Sequence, residues 1–498
     1  MGKVSDFQTG KEGEDKDVLA REMAQMDAAL TKKVAAERRD AKGRVRRVLR
    51  AMRGQVADRG ADVMGIMGGS GNKKESLLEL VGDEMTRLTG GRVAVLHYAP
   101  ELKTQQEVWL YVGTHWMRVE NDRFFQFVKE CCTDMGIPTR KVNSPTFMAD
   151  ACQTVAYRLS AVWDKVPQPD GVAQLNLMNG TLEVDGEGNR RLRAHSREDY
   201  FVHCLPYAYE PGAECERWLA FLERVLPDRG CQRVLQEYVA NALVSGAVKL
   251  DVMLILKGSG ANGKSVLLEV LGALAGKENV SNISLNELTG DVVMRQGFEH
   301  KLLNMSSESE SKWVPSVLKQ LTSHEPVMVK ELYRNPHEMT EYGYLIAAVN
   351  EMPRAEATDA FYRRLRILPF NATISPEEAD PEMPEKLKAE LPGILNWFLE
   401  GLPALMKRKR LSACKVSEEE VQNYRGATDY VYLFVQECCA PSEKWVTGKQ
   451  LHDRFKYFCE SNNLSCTMTP QRLYDRLKNL GVKRDMRHNQ VHFQLALT

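Results

Sequence analysis

The chain has 498 residues, of which 43% are hydrophobic and 27% charged, and these values exclude a fibrous or wholly disordered protein. Its 67 basic and 67 acidic side chains give a formal net charge of zero, so any attraction to nucleic acid has to be local. No run approaches the roughly 18 consecutive apolar residues that span a bilayer, and the N-terminal segment lacks the apolar core of a secretory signal. We therefore expect a cytoplasmic protein of about three domains that does not bind membranes.

The eleven cysteines include no C-x-x-C pair. Two adjacent pairs occur, Cys131-Cys132 and Cys438-Cys439, and neighbouring cysteines do not have the spacing of a zinc ribbon. We expect reduced, mostly buried cysteines.

The N-terminal part is basic and helical. Apolar residues at three- and four-residue spacing predict a whole or broken helix over 18–58. Between Lys32 and Arg53 there are ten basic residues and two acidic ones. Two interpretations stay open, a solvated helix face or an arm that binds nucleic acid or a partner. Residues 65–74 superficially resemble a phosphate loop, but Asn72 stands where a glycine must precede the lysine, so we expect a linker.

The middle of the chain changes from a mixed pattern to an alternation of strands and helices. Asn179-Gly180, between two alternating runs, predicts a β-hairpin. Residues 216–245 have the period of a helix. Residues 250–370 alternate buried strands with helices, which is typical of a parallel α/β sheet.

Residues 258–265, GSGANGKS, follow a short apolar strand and precede a leucine-rich helix. They match G-x-x-x-x-G-K-[ST] in the strand–loop–helix setting that this motif requires. The glycines also match the dinucleotide-binding pattern G-x-G-x-x-G, but that motif does not require the lysine and serine that follow here. We therefore favour the phosphate loop. The expected ligands are ATP and Mg²⁺, with the lysine on the β- and γ-phosphates and Ser265 on the metal. The predicted ATP-binding residues are Gly258, Gly260, Asn262, Gly263, Lys264 and Ser265.

A carboxylate is expected at the end of a neighbouring strand. Residues 301–307 run into Glu308, and Glu310 follows two residues later. In a phosphate-loop ATPase such acids hold Mg²⁺ through water and polarise the attacking water. We predict these roles for Glu308 and Glu310, with Glu308 at the metal. The alternative is a solvated surface loop.

Three further polar positions follow in chain order. The apolar strand 344–349 ends at Asn350, whose amide can orient the attacking water. Arg363 and Arg364 come after that strand, where an oligomeric ATPase places an arginine that neutralises the neighbouring subunit's γ-phosphate. Surface salt bridges are the alternative for these two arginines.

The C-terminal part forms a unit of its own. We predict three helices and a final strand, over Tyr430–Cys439, Gly448–Asn462, Pro470–Leu480 and 491–497. This pattern fits a winged helix whose third helix enters a major groove. Arg472 and Arg476 lie off the apolar face of that helix, and we predict that they contact DNA. A winged helix that binds protein is the alternative.

These motifs, in this order, resemble the superfamily 3 helicases, in particular those found as the C-terminal half of phage, plasmid and poxvirus primase-helicases. The strings that carry the resemblance are residues 282–311, 318–354, 359–370 and 390–402. The chain departs from the family pattern at three places. It has Ser307 where the family commonly has Asn, Ser323-His324-Glu325 where the family has Gly-Gly-Asp, and Lys330 where the family has Arg.

The resemblance implies an α/β fold with an AAA+-like phosphate-loop ATPase core, a preceding α/β adapter domain and a C-terminal winged helix. The expected domains are a basic arm and linker at 1–90, the adapter at 91–240, the core at 241–410 and the winged helix at 426–498. The resemblance further implies that the hairpin before Asn350 contacts DNA through Lys330, Arg334 and His337.

The implied activity is that of an ATP-dependent DNA helicase that works as a ring, expected to be a hexamer, in the replication of a phage, plasmid or other mobile element. The expected partners are single-stranded DNA in the ring channel, duplex DNA and further copies of the chain. A separate primase or replication initiator is a candidate partner. The alternative is an ATP-binding initiator or DNA-remodelling ATPase that assembles on DNA without processive unwinding.

Overall fold

The computed structural model describes residues 43–54, 75–97, 106–161, 171–308, 313–332, 334–353, 359–462, 468–487 and 490–497. The described residues form two compact units. The first contains the residues up to 161 together with 195–203, and the second contains 171–194 and the residues from 204 onward. The expected adapter range 91–240 contributes to both units, and the boundaries of the four expected domains stay predictions.

The first unit packs five helices against a three-stranded antiparallel sheet. Its strands, in the order β1–β2–β3, are Val93–His97, Gln106–Tyr111 and Trp116–Val119. Its helices are α1 at 43–54, α2 at Glu75–Thr89, α3 at Asn121–Asp134, α4 at Thr139–Val142 and α5 at Pro145–Arg158. Buried cysteines of α3 lie in the shared core, as the sequence predicted.

Helix α1 is the described part of the predicted basic arm. It packs into the core of the first unit through Val45, Leu49 and Met52. Arg53 forms an ion pair with Glu130 at 2.9 Å. Three other arginines, Arg46, Arg47 and Arg50, are exposed. Both interpretations of the arm therefore stay open, and the rest of 18–58 and the linker predicted at 65–74 lie outside the described residues.

The second unit is built on a five-stranded parallel sheet, which confirms the α/β pattern predicted for 250–370. The strands are β7 at Met253–Lys257, β8 at Val280–Ser281, β9 at Leu303–Glu308, β12 at Tyr344–Val349 and β13 at Leu365–Pro369. Their order in the sheet is β13–β7–β12–β9–β8. Val349 pairs with Lys257 on one side and with Glu308 on the other. The carboxyl ends of β7, β12 and β9 therefore reach the same edge, where α/β sheets place their ligands.

Helices cover this sheet on both faces. The longer ones are α6 at Glu216–Val225, α7 at Arg229–Leu243, α8 at Lys264–Ala275, α11 at Pro315–Thr322, α14 at Leu391–Arg408 and α15 at Lys415–Thr428. The shorter ones are α9 at Leu285–Gly290, α10 at Val292–Arg295, α12 at Asp359–Tyr362 and α13 at Met383–Lys388. No helix among the described residues combines the length and the apolar character needed to cross a membrane.

The predicted helix at 216–245 is two helices, α6 and α7. Pro227 has no backbone N–H to donate and favours an extended residue before it. Asp228 then caps α7, because its Oδ1 accepts a hydrogen bond from the backbone N–H of Cys231 at 2.8 Å. The chain therefore turns between Val225 and Arg229.

Two hairpins flank the sheet. The hairpin predicted at Asn179-Gly180 is confirmed, because β4 at Val172–Leu177 pairs antiparallel with β5 at Gly180–Asp185. Strand β6 at Arg190–Arg193 completes that small sheet. The second hairpin joins β10 at Val327–Val329 to β11 at His337–Met339.

The C-terminal part confirms the predicted helices and final strand. Helices α16 at Tyr430–Cys438, α17 at Gly448–Ser461 and α18 at Pro470–Asn479 pack on a three-stranded antiparallel sheet. The sheet order is β14–β16–β15, from Cys439–Thr447, Gln490–Leu497 and Arg484–Arg487. Its core contains Phe434, Phe455, Phe458, Leu473, Leu477 and Phe493.

Candidate functional site

The loop at 258–265, hereafter the phosphate loop, depends on two glycines for different reasons. Gly263 has φ +84°, and a Cβ there would lie 2.7 Å from Cγ1 of Val225. Gly258 has no room for a Cβ, which would overlap the carbonyl oxygen of Phe370. Asn262, which is 2% exposed, donates from Nδ2 to that same oxygen at 3.1 Å. The loop is therefore braced against the end of β13.

Lys264 lies beneath the phosphate loop, at the first residue of α8, and is 6% exposed. Its Nζ donates to the carbonyl oxygen of Gly258, to Oδ1 of Asn262 at 3.1 Å and to Oδ1 of Asn350 at 3.4 Å. These three partners are neutral oxygens, so they leave the positive charge uncompensated for an anion. Burial lowers the pKa of Lys264 below its ordinary value.

A cavity of about 860 Å³ opens beside the phosphate loop, within the size range of small-molecule sites. Its polar end is formed by the phosphate loop with Ser265, Ser307 and Asn350, all three of them exposed. Its other end is lined by apolar side chains, by three cations and by two acids, Glu378 and Asp380, which form ion pairs with Arg224 at 3.1 Å and with Lys386 at 2.7 Å. The apolar residues are Phe221, Val225, Ile374 and Met383, and the cations are Arg217, Arg224 and Lys386. Such a cavity suits a ligand with an anionic part and an apolar part.

The sequence did not predict the apolar end of the cavity. Phe221 and Val225 belong to the apolar stripe of α6, and such a stripe predicts packing in the hydrophobic core and not a ligand site. Ile374 and Met383 come from a segment with no regular period, and the backbone N–H of Ile374 donates to the carbonyl of Ala261 at 2.8 Å. This contact, together with the hydrogen bond from Arg224 of α6 to the carbonyl of Thr373 at 2.8 Å, brings both groups to one cavity.

Strand β9 ends at Glu308, beside the end of β12. Ser307 lines the cavity. The side chain of Glu308, and Glu310 as a whole, lie outside the described residues, so their predicted roles and the metal set of Ser265 with Glu308 stay predictions. Within β9, Asn304 is fully buried and accepts from the hydroxyl of Ser281 at 2.8 Å. This contact explains why a core strand carries a polar residue.

The two predicted arginines have different environments. Arg363 is exposed. Arg364 is 6% exposed and donates to Oγ of Ser323 at 2.9 Å and to the carbonyl of Ala360 at 2.6 Å. Ser323 stands where the resembled family has a glycine, and here it anchors the buried guanidinium. Of the two arginines, Arg363 is therefore the one that can reach a neighbouring molecule.

Lys330, Arg334 and His337 all lie on the β10–β11 hairpin, and their predicted contact with DNA stays a prediction. Arg334 forms an ion pair with Glu331 at 2.8 Å, and Nε2 of His337 lies 3.0 Å from Glu299. Intramolecular carboxylates therefore offset part of the positive charge at this hairpin.

In the C-terminal part, Arg472 is exposed on α18. Arg476 is instead held in an ion-pair network, with Asp429 and, at 3.4 Å, with Asp359 of α12. Arg425 of α15 shares Asp359 at 2.5 Å. The guanidinium of Arg476 therefore joins α18 to the segment that carries Arg363, and its predicted contact with DNA stays a prediction.

Two family models match parts of the chain. Residues 96–227 match a family described as D5 N terminal like, and residues 256–364 match a family of unknown function, DUF5906. Each match covers less than half of the chain. The second match extends from the end of β7 to Arg364, so it includes the phosphate loop and Asn350.

Two curated viral proteins are similar to this chain. Putative helicase 121R of Invertebrate iridescent virus 3 is 20% identical over 255 residues, which are 44% of this chain and 27% of that protein. Putative helicase L207/L206 of Acanthamoeba polyphaga mimivirus is 25% identical over 189 residues, which are 35% of this chain and 19% of that protein. The chain thus matches less than a third of the length of either relative.

Solved structures of the NrS-1 C terminal region are also similar. The A form apo structure covers 83% of this chain and 99% of that chain, with 12% identity and a TM-score of 0.49. Another apo structure of that region covers 83% of this chain and 98% of that chain, with 12% identity and a TM-score of 0.46.

Proposed function

We propose that this protein is an ATP-dependent DNA helicase that works as a ring in the replication of a phage, a virus or another mobile element. The observation that carries the proposal is the hydrogen bond from Lys264 to Asn350 beneath the phosphate loop, where parallel strands end at the polar end of a large cavity. The two viral relatives named putative helicases support the proposal. We assign the core to the AAA+-like superfamily 3 type and the C-terminal part to the winged helices.

ATP is proposed to bind with its phosphates at the phosphate loop and its base at the apolar end of the cavity. The backbone N–H groups at the start of α8 favour negative charge, since a helix N-terminus carries a partial positive charge. Lys264 supplies the full charge for the β- and γ-phosphates. Phe221 and Ile374 offer apolar surface to the base.

Ser265 and Glu308 are the proposed ligands of Mg²⁺. Ser265 is an exposed residue that lines the cavity, and the register ends β9 beside β12; both observations support this choice. Mg²⁺ would supply positive charge to the phosphate oxygens. Strand β12 separates β9 from β7, so Asn350 follows the strand between the acid and the phosphate loop. From that position its amide is proposed to orient the attacking water, and Glu308 or Glu310 to polarise it.

The ring proposal rests on Arg363. An exposed arginine beyond the cavity's own lining suits a contact with the γ-phosphate in a neighbouring subunit, where it would stabilise charge in the transition state. Lys330 and Arg334 of the hairpin, with His337, are proposed to follow a DNA backbone in the channel. Arg472 is proposed to contact duplex DNA.

A forked-duplex unwinding assay tests the proposal. The wild-type protein should separate the strands only with ATP and Mg²⁺. Lys264→Ala should abolish both hydrolysis and unwinding, because it removes the ammonium group proposed to contact the β- and γ-phosphates. Helix α8 should still form, because alanine has a high helix propensity. Lys415→Ala is the matched control, since the Lys415 side chain is 89% exposed.

The same assay separates the second candidate function, a DNA-remodelling or initiator ATPase. The pairing of Arg334 and His337 with carboxylates favours this candidate, because it reduces the charge available to a translocating strand. ATP turnover with DNA binding but no strand separation would select the second candidate. Near-wild-type hydrolysis by Lys264→Ala would reject both candidates.

A further inference from the structure

Three metal-ligating side chains meet away from the nucleotide cavity. Asp228 caps α7, Cys231 lies in the first turn of that helix, and Cys414 immediately precedes α15. The two Sγ atoms are 3.5 Å apart, and Sγ of Cys414 lies 3.8 Å from Oδ1 of Asp228. All three ligand atoms lie within 4.8 Å of one another. Cys231 and Cys414 are 0% and 4% exposed, so tertiary packing fixes this approach.

Two of the three separations are close to those of a tetrahedral zinc shell. With Zn–S bonds of about 2.3 Å and Zn–O bonds of about 2.0 Å, two sulfurs lie roughly 3.8 Å apart, and a sulfur and an oxygen roughly 3.5 Å apart. The measured values, 3.5 and 3.8 Å, each differ from these by a few tenths of an ångström. A disulfide would need sulfurs about 2.05 Å apart, so the structure holds two thiols here.

Gly230 packs closely against two of the three ligand atoms. A Cβ on Gly230 would lie 3.0 Å from Oδ1 of Asp228 and 3.2 Å from Sγ of Cys414. Asp228 is exposed, so an ion can enter from solvent and a water can complete its coordination. The chemistry of the donor set is also selective, because thiolates bind Zn²⁺ and exclude Mg²⁺, which prefers oxygen ligands.

The cluster lies where an ion would brace the nucleotide cavity. Asp228 follows Val225, the last residue of α6, by three positions, and Val225 lines the cavity. The segment before Cys414 is already fixed to α7 by Glu237, which is fully buried and accepts from the backbone N–H of Ser412 at 2.7 Å. A second attachment through Cys414 would hold the turn between α6 and α7.

We propose that Asp228, Cys231 and Cys414 form a structural site for Zn²⁺ that ties the α6–α7 turn to the start of α15. The site is distinct from the proposed Mg²⁺ ligands and from the ATP cavity. It does not depend on the helicase proposal.

Cobalt titration of the full chain tests the site. Co²⁺ bound by two thiolates should give a sulfur-to-cobalt charge-transfer band that saturates at one equivalent, and Zn²⁺ should displace it. Cys231→Ser and Cys414→Ser should each weaken binding at least tenfold. Cys459→Ser, at a buried cysteine of the C-terminal part, is the matched control and should keep the band.

Gly230→Ala is a second test, which stays informative if the cysteine variants do not fold. Alanine favours the first turn of α7 relative to glycine, so this variant should retain its fold. Its methyl group should nevertheless weaken Co²⁺ binding by crowding two ligand atoms. Wild-type protein should also unfold at a higher temperature with Zn²⁺ than with a chelator, because the ion binds the folded state.

Three results would overturn the proposal. The first is the absence of a charge-transfer band in the reduced wild-type protein. The second is an equal band in Cys231→Ser and Cys414→Ser. The third is a Cys231–Cys414 disulfide in the freshly isolated protein, found by peptide mapping without reductant, since that bond leaves no thiolates for an ion.

Discussion

At the scale of single residues, Asn350 and Lys264 are coupled, because the amide oxygen of Asn350 accepts a hydrogen bond from the ammonium group. Asn350→Ala should lower kcat for ATP hydrolysis about 100-fold, the usual order for removing one positioned polar group from a reacting centre. Nucleotide affinity should change only a few-fold, since the phosphate loop remains. Steady-state ATPase rates and titration with a fluorescent nucleotide measure the two effects.

The control for this variant is Asn286→Ala, at an exposed asparagine of α9 outside the cavity lining. A large loss of affinity with unchanged kcat in Asn350→Ala would show that Asn350 binds the nucleotide instead of acting in the chemical step.

Alanine variants of Arg363 and Arg364 should differ in stability and in ATP turnover. Arg363→Ala should remain as stable as wild type, because the Arg363 side chain is exposed. It should lose ATP turnover, because the proposed contact with the neighbouring subunit's γ-phosphate is removed. Arg364→Ala should lower the free energy of unfolding by about 1–3 kcal/mol, the usual effect of leaving buried partners such as Ser323 unpaired. Urea unfolding and ATPase assays measure the two quantities.

Mixed rings test whether Arg363 acts in trans. Inactive Arg363→Ala and inactive Lys264→Ala subunits should partly restore each other's turnover, since some interfaces would hold an intact loop and an intact arginine. Full turnover by a dilute monomer would contradict this role.

At the scale of elements, the β10–β11 hairpin should affect DNA-stimulated ATP turnover and unwinding but not basal ATP hydrolysis. Lys330→Glu with Arg334→Glu should remove DNA-stimulated turnover and unwinding, because a hairpin of reversed charge repels the phosphate backbone. Basal ATPase should persist, since neither residue lines the cavity. DNA-stimulated ATPase at several salt concentrations is the measurement.

Glu331→Gln is the informative partner variant for the hairpin. It releases Arg334 from its ion pair, so DNA affinity should rise and depend more steeply on salt. An unchanged affinity would mean that Arg334 does not reach DNA.

At the scale of the whole molecule, Asp359 connects the C-terminal part to the segment that carries Arg363. It pairs with Arg476 of α18 and with Arg425 of α15. Arg476→Gln and Asp359→Asn should therefore show a coupling energy of about 0.5–3 kcal/mol in a double-mutant cycle of urea unfolding. Arg472→Gln, at an exposed arginine of the same helix, should not couple with Asp359.

The sequence by itself determined the features that are local in the chain. The phosphate loop could be predicted because its glycines, lysine and flanking strand and helix are contiguous, and backbone conformation follows from residue type over such short distances. The same holds for the Asn179-Gly180 hairpin and for the three C-terminal helices, whose apolar period is visible without any partner.

Only the tertiary structure decided which of several similar side chains face the site. Arg363 and Arg364 are neighbours of the same type, and the burial of the second one against Ser323 and Ala360 distinguishes them. Cys231 and Cys414 are 183 positions apart, and Arg476 is 117 from Asp359. Contacts over such separations depend on how whole helices pack, and a local pattern of residue types carries no record of that packing.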